Sequence, residues 1–183
     1  MIDYFSIIHK HIDPDSQTYP IYITHVHMVT KKALDIARKM DCSSDQITFI
    51  EEASMLHDIG IVGVDDPDIY CFGQEEYLAH PRIGFDILQS ESLPKHARVA
   101  LCHTGVGITK QEIIDQNLPL PHADLFPETP EEKIISFADL FYGKGGNLWE
   151  ERSTKRVRTT LAKHGEEKVA LFEEWYHELE SYV

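Results

Sequence analysis

The run Met55-Leu56-His57-Asp58-Ile59-Gly60 constrains this chain more than any other stretch. Ile47, Ile50, Ser54 and His57 recur at spacings of three and four, so one helical face carries all of them. The stripe that draws the helix inward therefore delivers a histidine and an aspartate with it. Adjacent helical side chains diverge by about 100°, so the pair cannot lie flat against one packed surface. Buried without partners, such groups cost roughly several kcal/mol. The pair either faces water at a helix end or grips something that the rest of the fold must help to hold.

Helical periodicity dominates the remainder. A helix is expected over residues 4–12. A long one follows from about Pro20, with Val26, Val29, Ala33, Ile36 and Met40 as its buried stripe. His25 points with that stripe, whereas His27 is turned away from it. Ser43 and Ser44 can cap the helix that carries His57, and Gly60 reads as its stop. Residues 64–73, with Asp65, Asp66 and Asp68, read as an acidic loop that lacks the ligand spacing of a calcium site. Pro81 opens a helix and leaves His80 at its mouth. Pro94 opens another, with His103 near its end and His96 two turns earlier as a rival ligand. A short helix over 109–117 and a proline-rich loop containing His122 follow. Thr129-Pro130-Glu131-Glu132 starts a strongly apolar helix in which Asp139 is conspicuous. After Gly143-Lys144-Gly145-Gly146, two helices are expected over 149–163 and 166–182. Strand patterning is almost absent, so the reading is an all-α, single-domain helical bundle over residues 1–183.

Composition removes several function classes. No apolar run approaches the ~20 residues of a membrane span, and the first residues lack the pattern of a signal peptide. Cys42, Cys71 and Cys102 form no CxxC pair and read as reduced thiols of a cytoplasmic protein. A net charge of −14 argues against duplex nucleic acid as a partner.

His25, His57, Asp58, His80, His103 and Asp139 lie on five separate expected helices, each near an apolar stripe or a helix end. Four imidazoles and two carboxylates suit iron, manganese, zinc, cobalt or nickel better than magnesium or calcium alone. One tetrahedral ion takes only three or four ligands. Six point to two divalent ions that share a carboxylate.

The order H…HD…H…H…D resembles the HD-domain superfamily of metal-dependent phosphohydrolases. The local context agrees: His25 with Val29 and Ala33, His57-Asp58-Ile59-Gly60, His80-Pro81 with Gly84, and Ala138-Asp139. The similarity covers about residues 20–145 and implies an HD-type bundle with its metal core there and the C-terminal helices, about 149–182, outside it. It further implies that His25, His57, Asp58 and Asp139 hold one metal, and that His80 and His103 hold a second. Asp58, bridging the two, would be the central catalytic residue. Iron and manganese are the leading candidates.

Two departures narrow the resemblance. Many relatives have a lysine directly after this run, where the chain has Ile61, and the GYP-type motif of the cyclic-dinucleotide phosphodiesterases is missing. What remains is hydrolysis of a small anionic phosphate ester or nucleotide. A di-iron oxygenase, which some relatives are, and a non-catalytic nucleotide sensor are the alternatives. Residues 143–168 carry seven Lys/Arg against four Glu. Lys144, on its glycine-flanked turn, is the expected phosphate contact, with Arg152, Arg156 and Lys155 as further ones.

Overall fold

A computed structural model describes residues 2–182, and among them nine α-helices account for most of the regular structure. They are α1 (Tyr4–His11), α2 (Thr18–Lys39), α3 (Ser44–Leu56), α4 (His80–Ser90), α5 (Pro94–Cys102), α6 (Lys110–Asp115), α7 (Pro130–Asp139), α8 (Thr154–Leu161) and α9 (Glu166–Leu179). The all-α expectation holds. A two-stranded antiparallel ribbon, β1 (Asp65–Asp66) with β2 (Cys71–Phe72), interrupts the acidic loop.

Most helix starts follow from local chemistry. Ser43 accepts from the Gln46 amide while the Gln46 side chain returns to Ser43, and Thr109/Glu112 and Thr129/Glu132 repeat the arrangement on α6 and α7. Each cap satisfies otherwise unpaired amides and stabilises its helix by about 1 kcal/mol. Helix α2 begins two residues before Pro20, which still lies in the first turn, where an amide has no helical partner. The helix expected from residue 149 begins only at Thr154, because Ser153 caps it by accepting from the Arg156 amide. Residues 143–153 therefore form a loop.

The end of α3 departs from expectation in a way that matters. The helix stops at Leu56, His57 is its cap, and the chain tightens into a 3-10 turn over Ile59–Gly63. Gly60 is not a left-handed terminator. It is there because α4 crosses directly over it: a Cβ at Gly60 would lie 2.9 Å from the His80 carbonyl carbon and closer still to the His80 oxygen and Gly84 nitrogen. Gly84 meets Gly60 from the other side, so two glycines let the backbones touch.

Two apolar clusters flank this crossing. One joins α1, the first half of α2 (Tyr22, Val26) and the end of α3 (Met55, Leu56) to Ile59, Ile61, Leu88 of α4 and Ala97 and Ala100 of α5. The other joins Val29, Ala33 and Ile36 of α2, Ile50 and Ala53 of α3 and Ile134, Phe137 and Ala138 of α7 to Phe172 and Trp175 of α9. His25 stands next to Val26 and one turn before Val29, where the α2 stripe passes from one cluster to the other, at the seam.

Candidate metal centre

The six expected residues converge at that seam. His57, His103 and Asp139 stand at the C-terminal ends of α3, α5 and α7, His80 is the first residue of α4, and His25 comes from within α2. Three helix ends thus turn their carbonyl poles toward one point, which favours a cation there. His25, His57, Asp58, His80 and His103 are at most 3% exposed. Asp139, with 19% of its side chain exposed, is where the centre meets solvent.

Asp58 straddles the group. Its Oδ2 lies 3.2 Å from His25 Nε2 and 3.9 Å from His57 Nε2, while its Oδ1 lies 3.5 Å from His80 Nε2 and 3.7 Å from His103 Nε2. Asp139 Oδ1 stands 3.2 Å from His25 Nε2 and 3.6 Å from His57 Nε2. Three overlapping sets have ligand atoms within 4.8 Å of one another and can each hold an ion: His25/His57/Asp58, His57/His103/Asp139 and Asp58/His80/His103.

The backbone sets the imidazoles for this. His57, His80 and His103 each donate from Nδ1 to the carbonyl three residues earlier, Ser54, Tyr77 and Ala100, at 2.7, 2.7 and 2.8 Å. In the neutral ring the Nε2 lone pair then faces inward. For His80 and His103 this brings two Nε2 atoms to 3.3 Å, lone pair against lone pair. Such a contact requires a proton or a metal between them. Burial disfavours the proton, moving His80 down to about 4 and, with the His57 charge adding to it, His103 to about 3. Both nitrogens of His25, His57 Nε2 and both Asp58 oxygens lack a hydrogen-bond partner, which is unusual for buried atoms. The donor set and its unsatisfied inner atoms fit divalent transition metals.

Charge around the carboxylates is balanced by cations. Burial alone would raise Asp58, but Lys144, His25 and His57 hold it well below the usual carboxylate range. Asp139 is lowered against burial by His25 and His57, and His57 is raised against burial by Asp139 and Asp58. Lys144 Nζ reaches Asp58 Oδ2 at 2.6 Å, an ion pair rather than a directed hydrogen bond, and donates to the Tyr77 hydroxyl at 2.8 Å. Burial opposes its charge, yet Asp58, Tyr77 and Asp139 push its pKa up. Lys144 thus places a cation beside Asp58 from the far loop, and Ile61 is an apolar core residue.

Tyr77 had no periodic pattern to mark it. Its place three residues before His80 was the one available signal, since its carbonyl orients that ring and its hydroxyl holds Lys144. Asp139, Lys144 and Arg152 line a cavity of about 390 Å³ with Tyr77, Leu78, Val106, Leu118 and Leu161. Arg156 does not line it. It faces a neighbouring cavity of about 340 Å³, and Lys155 is exposed and lines neither. His96 pairs with Glu52 at 3.3 Å instead of joining the centre, and His122 is exposed.

An all-α fold around a buried histidine and aspartate centre defines the class, and the sequence gives it a family. The chain belongs to the HD-domain family, whose model matches residues 22–142. A tRNA (cytidine(56)-2'-O)-methyltransferase of Picrophilus torridus is 34% identical over 120 residues, 65% of this chain and 30% of its own length. A protein of the same name from Thermoplasma volcanium is 28% identical over 149 residues, 81% of this chain and 39% of its own. This chain thus spans well under half of either methyltransferase. An uncharacterised protein of Methanocaldococcus jannaschii is 30% identical over 125 residues, 66% of each chain. The HD domain of the L. monocytogenes phosphodiesterase PgpH shares the fold, with a TM-score of 0.55 at 16% identity over 97% of this chain and 88% of that one. Its complex with cyclic-di-AMP gives 0.53 at 16% identity, over 95% and 93%. Among the described residues no helix is long and apolar enough to cross a membrane.

Proposed function

We propose that this protein is a metal-dependent phosphohydrolase that cleaves a small phosphate ester or nucleotide at a centre of two divalent transition-metal ions, iron or manganese first. His25, His57, Asp58 and Asp139 would hold one ion, and His80 and His103 the other, with Asp58 shared. The observation that carries this reading is the position of Asp58: its two oxygens face two different groups of imidazoles. A carboxylate can join two ions in this way, whereas an imidazole nitrogen serves one. The chemistry such a pair supplies is a water whose pKa falls toward ~7 and neutralisation of the phosphoryl oxygens.

The protein's own groups do the rest. Backbone carbonyls fix the rings of His57, His80 and His103 with Nε2 turned toward the centre. Asp139 opens it to the adjoining cavity, where the alcohol portion of a substrate has room. Lys144 stands at the same mouth, and with Asp58 serving as a metal ligand its ammonium would be free to meet a phosphoryl oxygen. The shared fold with a phosphodiesterase bound to cyclic-di-AMP supports a small phosphate-containing substrate. None of the three cysteines is in a disulfide, which fits a reducing compartment such as the cytoplasm.

The test is metal analysis of the purified protein, then a phosphate-release screen with that metal in air and under strict anaerobiosis. A hydrolase releases phosphate at the same rate in both. Product that forms only with oxygen would replace this reading by the di-iron oxygenase, and saturable nucleotide binding without turnover would replace it by the sensor.

A further inference from the structure

Four of the six arginines are neutralised by carboxylates: Arg38 by Asp35, Arg82 by Glu75 and Asp86, Arg98 by Glu128 and Glu132, and Arg158 by Glu173. Among the described residues Arg152 and Arg156 form no such pair, although the chain carries a net charge of −14. Both line the second cavity, with the loop Gly143, Gly145, Gly146 and Asn147. That cavity shares Gly143 and Arg152 with the one that opens onto Asp139 and Lys144, so the two adjoin.

The Arg152 guanidinium is built into this boundary. Its Cζ would lie 3.0 Å from a Cβ at Gly143, with Nη2 closer, so only glycine leaves room for it. Its amide donates to the Phe141 carbonyl at 2.8 Å and its Nη1 to the Leu140 carbonyl at 3.4 Å. Carbonyls hold the group in place without cancelling its charge, and burial lowers its pKa, which an arriving anion would reverse. Of the two acidic residues in the cavity, Glu151 is already occupied by Lys32 at 2.8 Å and Tyr142 at 3.2 Å, while Glu150 is exposed. Two guanidiniums that line one cleft suit the tetrahedral oxygens of a phosphoryl group.

We propose that Arg152 and Arg156 form a second anion subsite beside the metal centre, so that the substrate carries two phosphoryl groups, one cleaved and one held. The inference rests on the phosphohydrolase reading for the first group only.

Two measurements test it. In the first, 15N-labelled metal-free protein is titrated with inorganic phosphate, and with acetate at equal ionic strength. The amides of Gly145, Gly146 and Asn147 should shift with phosphate, more weakly with acetate, and binding should fall roughly fivefold or more in Arg156→Gln. Arg156 is exposed, so this substitution spares the fold. No shift, or the same shift in the variant, overturns the subsite. An equal response to acetate overturns its assignment to phosphoryl. In the second, calorimetry on metal-loaded protein compares methylphosphonate with propane-1,3-diphosphonate. The linked pair should bind at least roughly tenfold tighter, and that advantage should shrink in Arg156→Gln. Equal affinities overturn the two-phosphoryl substrate. Neither measurement needs turnover, so a failed phosphate-release screen would sink the hydrolase reading and leave this one decided separately.

Discussion

Gly60→Ala is a one-methyl change whose consequence can be worked from the geometry. The added Cβ lies 2.9 Å from the His80 carbonyl carbon and closer to the His80 oxygen and the Gly84 nitrogen. Ordinary carbon contacts begin near ~3.5 Å, so the 3-10 turn and the start of α4 must part by about 1 Å. Every obstacle is backbone, and none can rotate away. Overpacking of this kind costs roughly 1–3 kcal/mol, with the upper end expected here. At ~2–4 °C per kcal/mol for a chain of this size, the metal-free protein should melt ~6–12 °C below wild type. The same displacement carries His80 off Asp58, and metal ligands tolerate only about 0.2 Å. The variant should therefore keep the ion on His25, His57 and Asp139 and lose the one on His80 and His103. Gly84→Ala is the internal comparison, because its Cβ meets Ala100 Cβ at 3.2 Å and Gly60 N at 3.3 Å, and it should cost much less. Thermal melts by circular dichroism and metal counting by mass spectrometry read both effects. A Gly60→Ala protein that melts within ~2 °C of wild type and holds both ions would refute this account of the crossing.

Other substitutions probe the centre itself. Asp58→Ala should lose both ions, since each loses a ligand and Lys144 loses the carboxylate at 2.6 Å, whereas His103→Ala should weaken chiefly the second; metal counting on folded protein separates the two. Lys144→Ala should raise KM or lower kcat on the true substrate by roughly tenfold or more, and unchanged steady-state constants would remove its phosphate role. Metal-free stability should also depend on pH through His80 and His103. Their folded values, about 4 and about 3, lie below the ordinary 6.5, so the unfolded chain binds more protons and stability falls as pH drops from 6.5 toward 4. Denaturant titrations of a His80→Gln/His103→Gln variant should show a shallower slope across that window, and an unchanged slope would count against those shifts.

Much of this molecule is determined by neighbours along the chain. Ser43 with Gln46 and Thr129 with Glu132 set helix starts, because capping partners lie three residues apart. The placement of His25 with Val29 and Ala33, and of Asp139 in an apolar helix, follows from helical periodicity, as does the inward course of His57. Tertiary structure alone decided the rest. Gly60 looked like a helix stop and proved to be a crossing point, since the sequence around it carries no trace of α4. His96, on the same face as His103 and two turns away, was drawn to Glu52 by the packing of α3 against α5. Lys144 reaches Asp58, and Arg152 and Arg156 come to line one cavity, through the course of a loop anchored by Lys32 and Glu151. Caps and stripes depend on bonds three or four residues long. Which side chains meet at the seam depends on how helices cross, and that is set by the packing of the whole core.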